Sequence, residues 1–386
     1  MNRIRYILVS LILIVFSVPL IMFILWTIKD NTYMNVLILD KTVSNIPATY
    51  DEHSNFTFML NNKKIVKKGQ EKQYSLLNYK GFFPHDNELF DIDDFEKCDS
   101  ATIEQYATDN DIFYVTDTYG VYTNEWYKKK DISERSGLIY GGLTEKEITL
   151  LAAFKRKKKM IVAEFNTIDL PTTQNVRDEF EDLFGIHWTG WLGRYFDNLD
   201  TNNVDIPRWL IHNFMKQHGN KWPFPAKPGI AFCYIDDHVE VLQNTVDLKA
   251  ELPVIHTDDA NAEKYHLPRL LTWSYWFEID KIHNTDEPVS LYSLKPTARG
   301  DSILKLWNIL ETFPAVIVPR DTSFKFYYFA GDFADDITSM KFSHLRGIQY
   351  LKSQFVTTDK GERKYFFWNF YYPLLSKVLK ETKEKS

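Results

Sequence analysis

Hydrophobic positions along the chain fall into three patterns. The first is one unbroken run, Ile7 to Thr27, free of charge. At 1.5 Å per helical residue it is long enough to cross the roughly 30 Å hydrocarbon core of a bilayer. The second is a set of short, nearly continuous apolar runs: Met34–Leu39, Ile112–Thr116, Met160–Ala163, Ile230–Ile235, Ala315–Val318 and Phe324–Phe329. Such runs predict strands covered on both faces, as in parallel sheets. The third has helical spacing. Helices are expected over Glu52–Asn62, around Ile103–Ala107, from Thr144, from Thr172 or Thr173 to Phe184, after Pro207, over Ser302–Thr312, and from about Phe366 onward.

Local signals set several boundaries. Thr144 followed three residues later by Glu147 reads as a capping box, and Ile148, Leu151, Ala152 and Phe154 give that helix an apolar face. Gly185 is placed to stop the helix that ends at Phe184. Tyr79–Pro84 reads as an aromatic loop and Thr272–Tyr292 as an aromatic, β-rich stretch. Strands alternating with capped helices predict an α/β fold: a three-layer, mainly parallel sheet with helices on both faces, plus one N-terminal transmembrane helix. The expected division is an anchor over 1–28, an α/β domain over 34–335, and a helical extension with a charged tail over 336–386.

The apolar run is read as an anchor and not a cleaved signal, because it exceeds a signal core and no Ala-x-Ala follows it. Pro19 is tolerable within such a helix, and Trp26 suits the far interface. Arg3 and Arg5 favour a cytoplasmic N-terminus, which leaves the bulk of the chain extracytoplasmic at the cell membrane, held by a single span.

Composition narrows the function classes. Hydrophobic residues make up 44% and aromatic residues 16%, as in a folded protein, and the net charge of −6 argues against nucleic acid as a partner. The basic run Lys155–Lys159 reads as a solvated helix end. Two cysteines, Cys98 and Cys233, are too few for a disulfide framework; whether they pair is open, and Cys233 within an apolar strand reads as a buried thiol. No metal motif, phosphate loop, dinucleotide fingerprint or nucleophile elbow occurs, so neither a metal nor a cofactor is expected.

Candidate chemistry is positional. Five expected strands end in a carboxylate: Asp40, Asp117, Glu164, Asp236 and Asp332. Open α/β sheets bind ligands beyond the carboxyl ends of their strands, so these acids, with Lys41, Tyr119 and Asn166 beside them, form one candidate ligand rim. Asp also caps turns, which is the plainer reading of the same residues. The segment Trp188–Tyr195 adds Trp191 and Arg194, suited either to stacking on a sugar ring or to packing under a glycine-rich loop.

Several segments in order carry a resemblance: Asp111–Asp117, Leu143–Glu147, Lys158–Ala163, Leu183–Ile186 and Phe326–Asp332. Together they resemble the class I glutamine-amidotransferase-like (flavodoxin-like) fold, most of all its non-catalytic members such as the trimerisation domains of some β-galactosidases. That family's catalytic members carry a nucleophilic Cys in an elbow after a central strand. Here Met160–Ala163 is followed by Glu164-Phe165-Asn166, so the resemblance implies a domain without that chemistry. A second resemblance is to membrane-anchored α/β proteins encoded with exopolysaccharide machinery. The resulting expectation is a membrane-anchored extracytoplasmic binding or scaffold protein of the cell envelope, non-catalytic, in polysaccharide assembly or export. Its partner would be a membrane protein or an envelope polysaccharide. The alternative is a glycan hydrolase or lyase using Glu164 with Asp117 or Asp236, since glycosidic chemistry needs two carboxylates.

Overall fold

A computed structural model describes residues 17–384 apart from 44–49, 128–134, 284, 322, 335–337 and 356. Its centre is a five-strand parallel array: β1 (Val36–Asp40), β2 (Lys80–His85), β4 (Ile112–Val115), β5 (Met160–Ala163) and β14 (Lys325–Phe329). β4 lies between β1 and β5, with Val36 opposite Ile112 and Ile112 opposite Met160, and β14 flanks β5 with Lys325 opposite Met160. Antiparallel strands extend both edges. On one side β3 (Leu89–Asp93) returns on β2. On the other come β13 (Thr312–Pro319), β12 (Asp286–Ser293), β9 (Val254–His256) and the edge strand β10 (Leu270–Thr272), completing ten strands.

The large sheet is therefore mixed, where a mainly parallel one was expected. Short connections return β3 on β2 and β14 on β13 antiparallel, whereas a parallel neighbour needs a long crossover. Ile230–Ile235 departs further. It forms β7 (Gly229–Tyr234) in a separate antiparallel sheet, ordered β8 (Val239–Gln243), β7, β6 (Ile186–Phe196), β11 (Trp276–Ile282). Tyr79–Pro84, read as a loop, and Trp188–Tyr195, associated with a glycine-rich loop, are both mainly strand. The two sheets meet where the Glu278 amide donates to Ala330 O at 2.9 Å and Phe277 bridges Gly331.

Alternate residues of the parallel strands build two cores. Ile38, Tyr114 and Val162 pack with Phe56 and Met59 of α1 (Asp51–Asn62) and with Tyr371, Leu374 and Val378 of the C-terminal segment. Leu37, Phe113 and Ile161 face the other way, against α2 (Ser100–Asp109), α3 (Glu145–Arg156) and α4 (Gln174–Phe184). Helices thus cover both faces, as expected. The capping box forms: the Thr144 amide donates to Glu147 Oε2 at 2.9 Å and Thr144 Oγ1 accepts from the Glu147 amide. Gly185 ends α4 in a left-handed conformation, φ 74°.

Residues 17–27 are helical. Among the described residues no helix is long and apolar enough to cross a membrane. The first part of the expected span, up to residue 16, lies outside the described residues. The described part is tied to the domain at one end: Trp26 Nε1 donates to Asn61 O at 3.0 Å, and the Arg346 amide donates to Met22 O at 3.2 Å.

Candidate functional site

The strand-end acids do not share one fate. Asp40 is fully buried and spent on structure: Oδ1 accepts from the Thr42 amide and hydroxyl, and Oδ2 lies 2.6 Å from His53 Nδ1. Lys41 is equally buried, with Nζ 2.8 Å from both Glu147 and the Gly142 carbonyl. Both residues belong to the interior rather than to a rim. Asp236, at the turn between β7 and β8, is exposed and accepts from the His238 amide. Its strand lies in the other sheet, so it does not join the parallel-strand acids.

Four acids gather beside the carboxyl ends of β4 and β5: Asp117, Asp169, and Glu278 and Asp280 from within β11. Asp117 accepts from the Tyr119 amide at 2.6 Å and from Asn166 Nδ2 at 3.0 Å. Asn166 follows β5 with φ 63°, a left-handed turn at the place where an elbow nucleophile would stand, but it carries an amide. Its own N–H donates to Glu278 at 2.7 Å. Glu278 takes a second hydrogen bond from the Tyr328 hydroxyl, and burial pushes its carboxyl up to about 8. Asp169 and Asp280 are buried beside it and their carboxyls are raised, first by burial and then by Glu278. Arg177 is the nearby cation, donating to the Ile168 and Thr172 carbonyls. Among the described residues no group of three or more His, Cys, Asp or Glu is arranged to hold a metal.

Glu164 sits apart, under the C-terminal segment. A π-type turn at Phe367–Tyr371 carries the Tyr371 hydroxyl onto Glu164, and Tyr371 also lies 2.9 Å from the Tyr114 hydroxyl. Burial pushes the Glu164 carboxyl up to about 8, against the hydrogen bonds that favour its charge. Glu164 is 3% exposed and does not line the cleft described next.

That cleft, about 400 Å³, opens between the strand ends and the antiparallel sheet. Tyr119, Asn166, Arg194 and Asp332 of the sequence-derived candidates line it; Asp40, Lys41, Asp117, Glu164, Trp191 and Asp236 do not. Trp191 is a core residue, packed on Tyr234 at 4.9 Å between ring centres. Its neighbour Gly190, φ 88°, carries the β-bulge between Trp188 and Leu192, and any side chain there would strike the Tyr234 ring. Arg194 stacks on Tyr275 at 4.6 Å and on Trp276 at 5.3 Å while donating to Asp205 O. Arg363 covers Tyr275 at 3.9 Å. On the opposite side Arg135 lies 4.3 Å over Trp209 and pairs with Asp237 at 2.7 Å.

Sequence reasoning missed Trp209, Tyr275, Trp276, Arg135 and Asp169. Tyr275 and Trp276 do lie in the stretch singled out as aromatic, Thr272–Tyr292, but nothing in its spacing ties them to Arg194. Their partnership comes from the pairing of β6 with β11, which sets Arg194 opposite Trp276.

No family model matches the chain, and no curated protein matches it. Solved structures are similar to it over most of its length at low identity. A ThuA-like protein from Bacteroides uniformis is 10% identical, covering 88% of this chain and 97% of that one, with a TM-score of 0.34. A ThuA-like protein from Parabacteroides merdae is 9% identical, covering 86% and 93%, with a TM-score of 0.36. The GH42 β-galactosidase Gan42B is 10% identical, covering 84% of this chain and 30% of that one, with a TM-score of 0.29. Likeness at this level carries no argument about fold or activity; the α/β architecture rests on the strand order above.

Proposed function

We propose that the cleft is a saccharide-binding site and that the chain is a membrane-anchored, extracytoplasmic binding or scaffold protein of the cell envelope, non-catalytic, acting in polysaccharide assembly or export. One observation carries the binding reading. Half-buried aromatic rings (Trp209, Tyr275, Trp276), each with an arginine stacked on it, line one cleft with Arg194, Arg135, Asp332 and Asn166. Aromatic faces take the apolar faces of sugar rings, and fixed charged and amide groups take the hydroxyls. The uncharged run Ile7–Thr27 supports the anchor, and the exposed apolar side chains of residues 18–25 agree with a lipid-facing helix.

Hydrolysis by Glu164 with Asp117 or Asp236 is less well supported. A general acid must reach the proton acceptor on the substrate. Glu164 is covered by Tyr371, and Asp236 follows a strand of the other sheet and does not line the cleft. The test is the affinity of the full chain for an array of N-acetylhexosamine, hexose and hexuronate oligomers. Trp276→Ala and Trp209→Ala should each weaken binding about tenfold or more, the loss of a central aromatic contact. Binding unchanged in both variants, with folding intact, removes the cleft from this role.

A further inference from the structure

Beside the N-terminal helix the domain carries a ledge whose outer side chains its own core does not use. Residues 340–355 expose Phe342, Tyr350, Leu351 and Phe355, the tyrosine at 74% and Phe355 at 70%. Lys352 lies over the Phe342 ring at 4.8 Å, and Lys341 is exposed next to it. The ledge is not a loose tail. Asn62 Nδ2 donates to the carbonyls of Ser343 and Leu345 at 3.1 Å each, and Ile348 is buried. It is fastened to the N-terminal helix itself: the Trp26 ring meets His344 at 4.4 Å, beside the Arg346 to Met22 hydrogen bond.

Charge gathers at the same place. Lys29, Lys64, Arg346 and Lys383 lie close enough that, after burial, the last three lower the Lys29 pKa. A group of neighbouring cations with exposed aromatic and aliphatic side chains, at the foot of an apolar helix, has the composition of a surface that lies in the headgroup layer. We propose that the 340–355 ledge is a second membrane contact, with Tyr350, Leu351 and Phe355 inserted at the interface and Lys341 and Lys352 on anionic lipid headgroups. This rests on the anchor reading above and adds to it a fixed orientation. The domain would stand on two supports and could not swing about its short tether.

The test uses the full chain in vesicles of phosphatidylcholine with phosphatidylglycerol. Spin labels go on Tyr350→Cys, Phe355→Cys and, as a control, Val204→Cys, which is 95% exposed in the turn that follows β6, all in a Cys98→Ser background. Flotation is read first, then label accessibility to oxygen and to a nickel chelate. The expected result is a floating chain with labels at 350 and 355 open to oxygen and shielded from nickel, and the label at 204 open to nickel. Lys341→Glu with Lys352→Glu should reduce that shielding several-fold; unchanged shielding overturns the assignment of these lysines. A chain that floats with all three labels open to nickel keeps the anchor and overturns the ledge contact. A chain that does not float overturns the anchor and the ledge with it.

Discussion

Glu164 and Glu278 show how burial decides the state of single residues in this protein. Both carboxyls are held near 8 in the fold, against an ordinary value of 4.5. A raised carboxyl favours the neutral form in the folded chain. Its contribution is therefore complete below about pH 4.5 and is lost as pH rises to about 8, on the order of a few kcal/mol over that interval. Denaturation midpoints should fall between pH 5 and 8, and Glu164→Gln should flatten that fall and make the protein more stable than the parent above pH 8. An unchanged slope would mean that Glu164 is charged in the fold. The sequence showed Glu164 at a strand end, but not its surroundings. Glu164 lies under Tyr371, distant in the chain, and Glu278 was not singled out because its acid alternates with apolar residues in an edge-facing strand. Cys233 follows the same rule and matches the expectation of a buried thiol: burial pushes it up to about 12.

At the scale of elements, local signals were legible and long-range partnerships were not. The Thr144–Glu147 capping box was plain from spacing, and so was the glycine stop at Gly185. What spacing could not show is that Glu147 serves twice, since its carboxylate also takes the buried Lys41 ammonium. Lys41→Met strands that carboxylate away from water, and the cost should be about 3–5 kcal/mol in a urea titration. Adding Glu147→Leu should restore most of the loss, less about 1 kcal/mol for the missing cap. A single variant as stable as the parent would contradict the pairing. The expected strands of the parallel centre lie where their continuous apolar runs put them. The misassigned ones, β2 and β6, interleave aromatic residues with glycine, proline and polar positions, and their order depends on neighbours: Phe82 is sealed by Trp126 and Phe90.

For the whole molecule, the mixed sheet matters more than the parallel centre. The antiparallel sheet brings β6 and β11 over the strand ends and turns an open rim into a walled cleft. That is why only Tyr119, Asn166, Arg194 and Asp332 of the ten candidates reach it. The cleft lies beyond the carboxyl ends of the parallel strands, but its wall is built by residues from segments the chain pattern did not connect. The central claim is that this walled cleft holds a saccharide. It is tested most directly by hydroxyl-radical footprinting of the full chain with and without a saturating oligosaccharide from the array above. The account predicts that oxidation of Trp209, Tyr275 and Trp276 falls together on binding, while Leu306, 72% exposed and outside the cleft, is unaffected. Binding with equal oxidation of all four residues would contradict it.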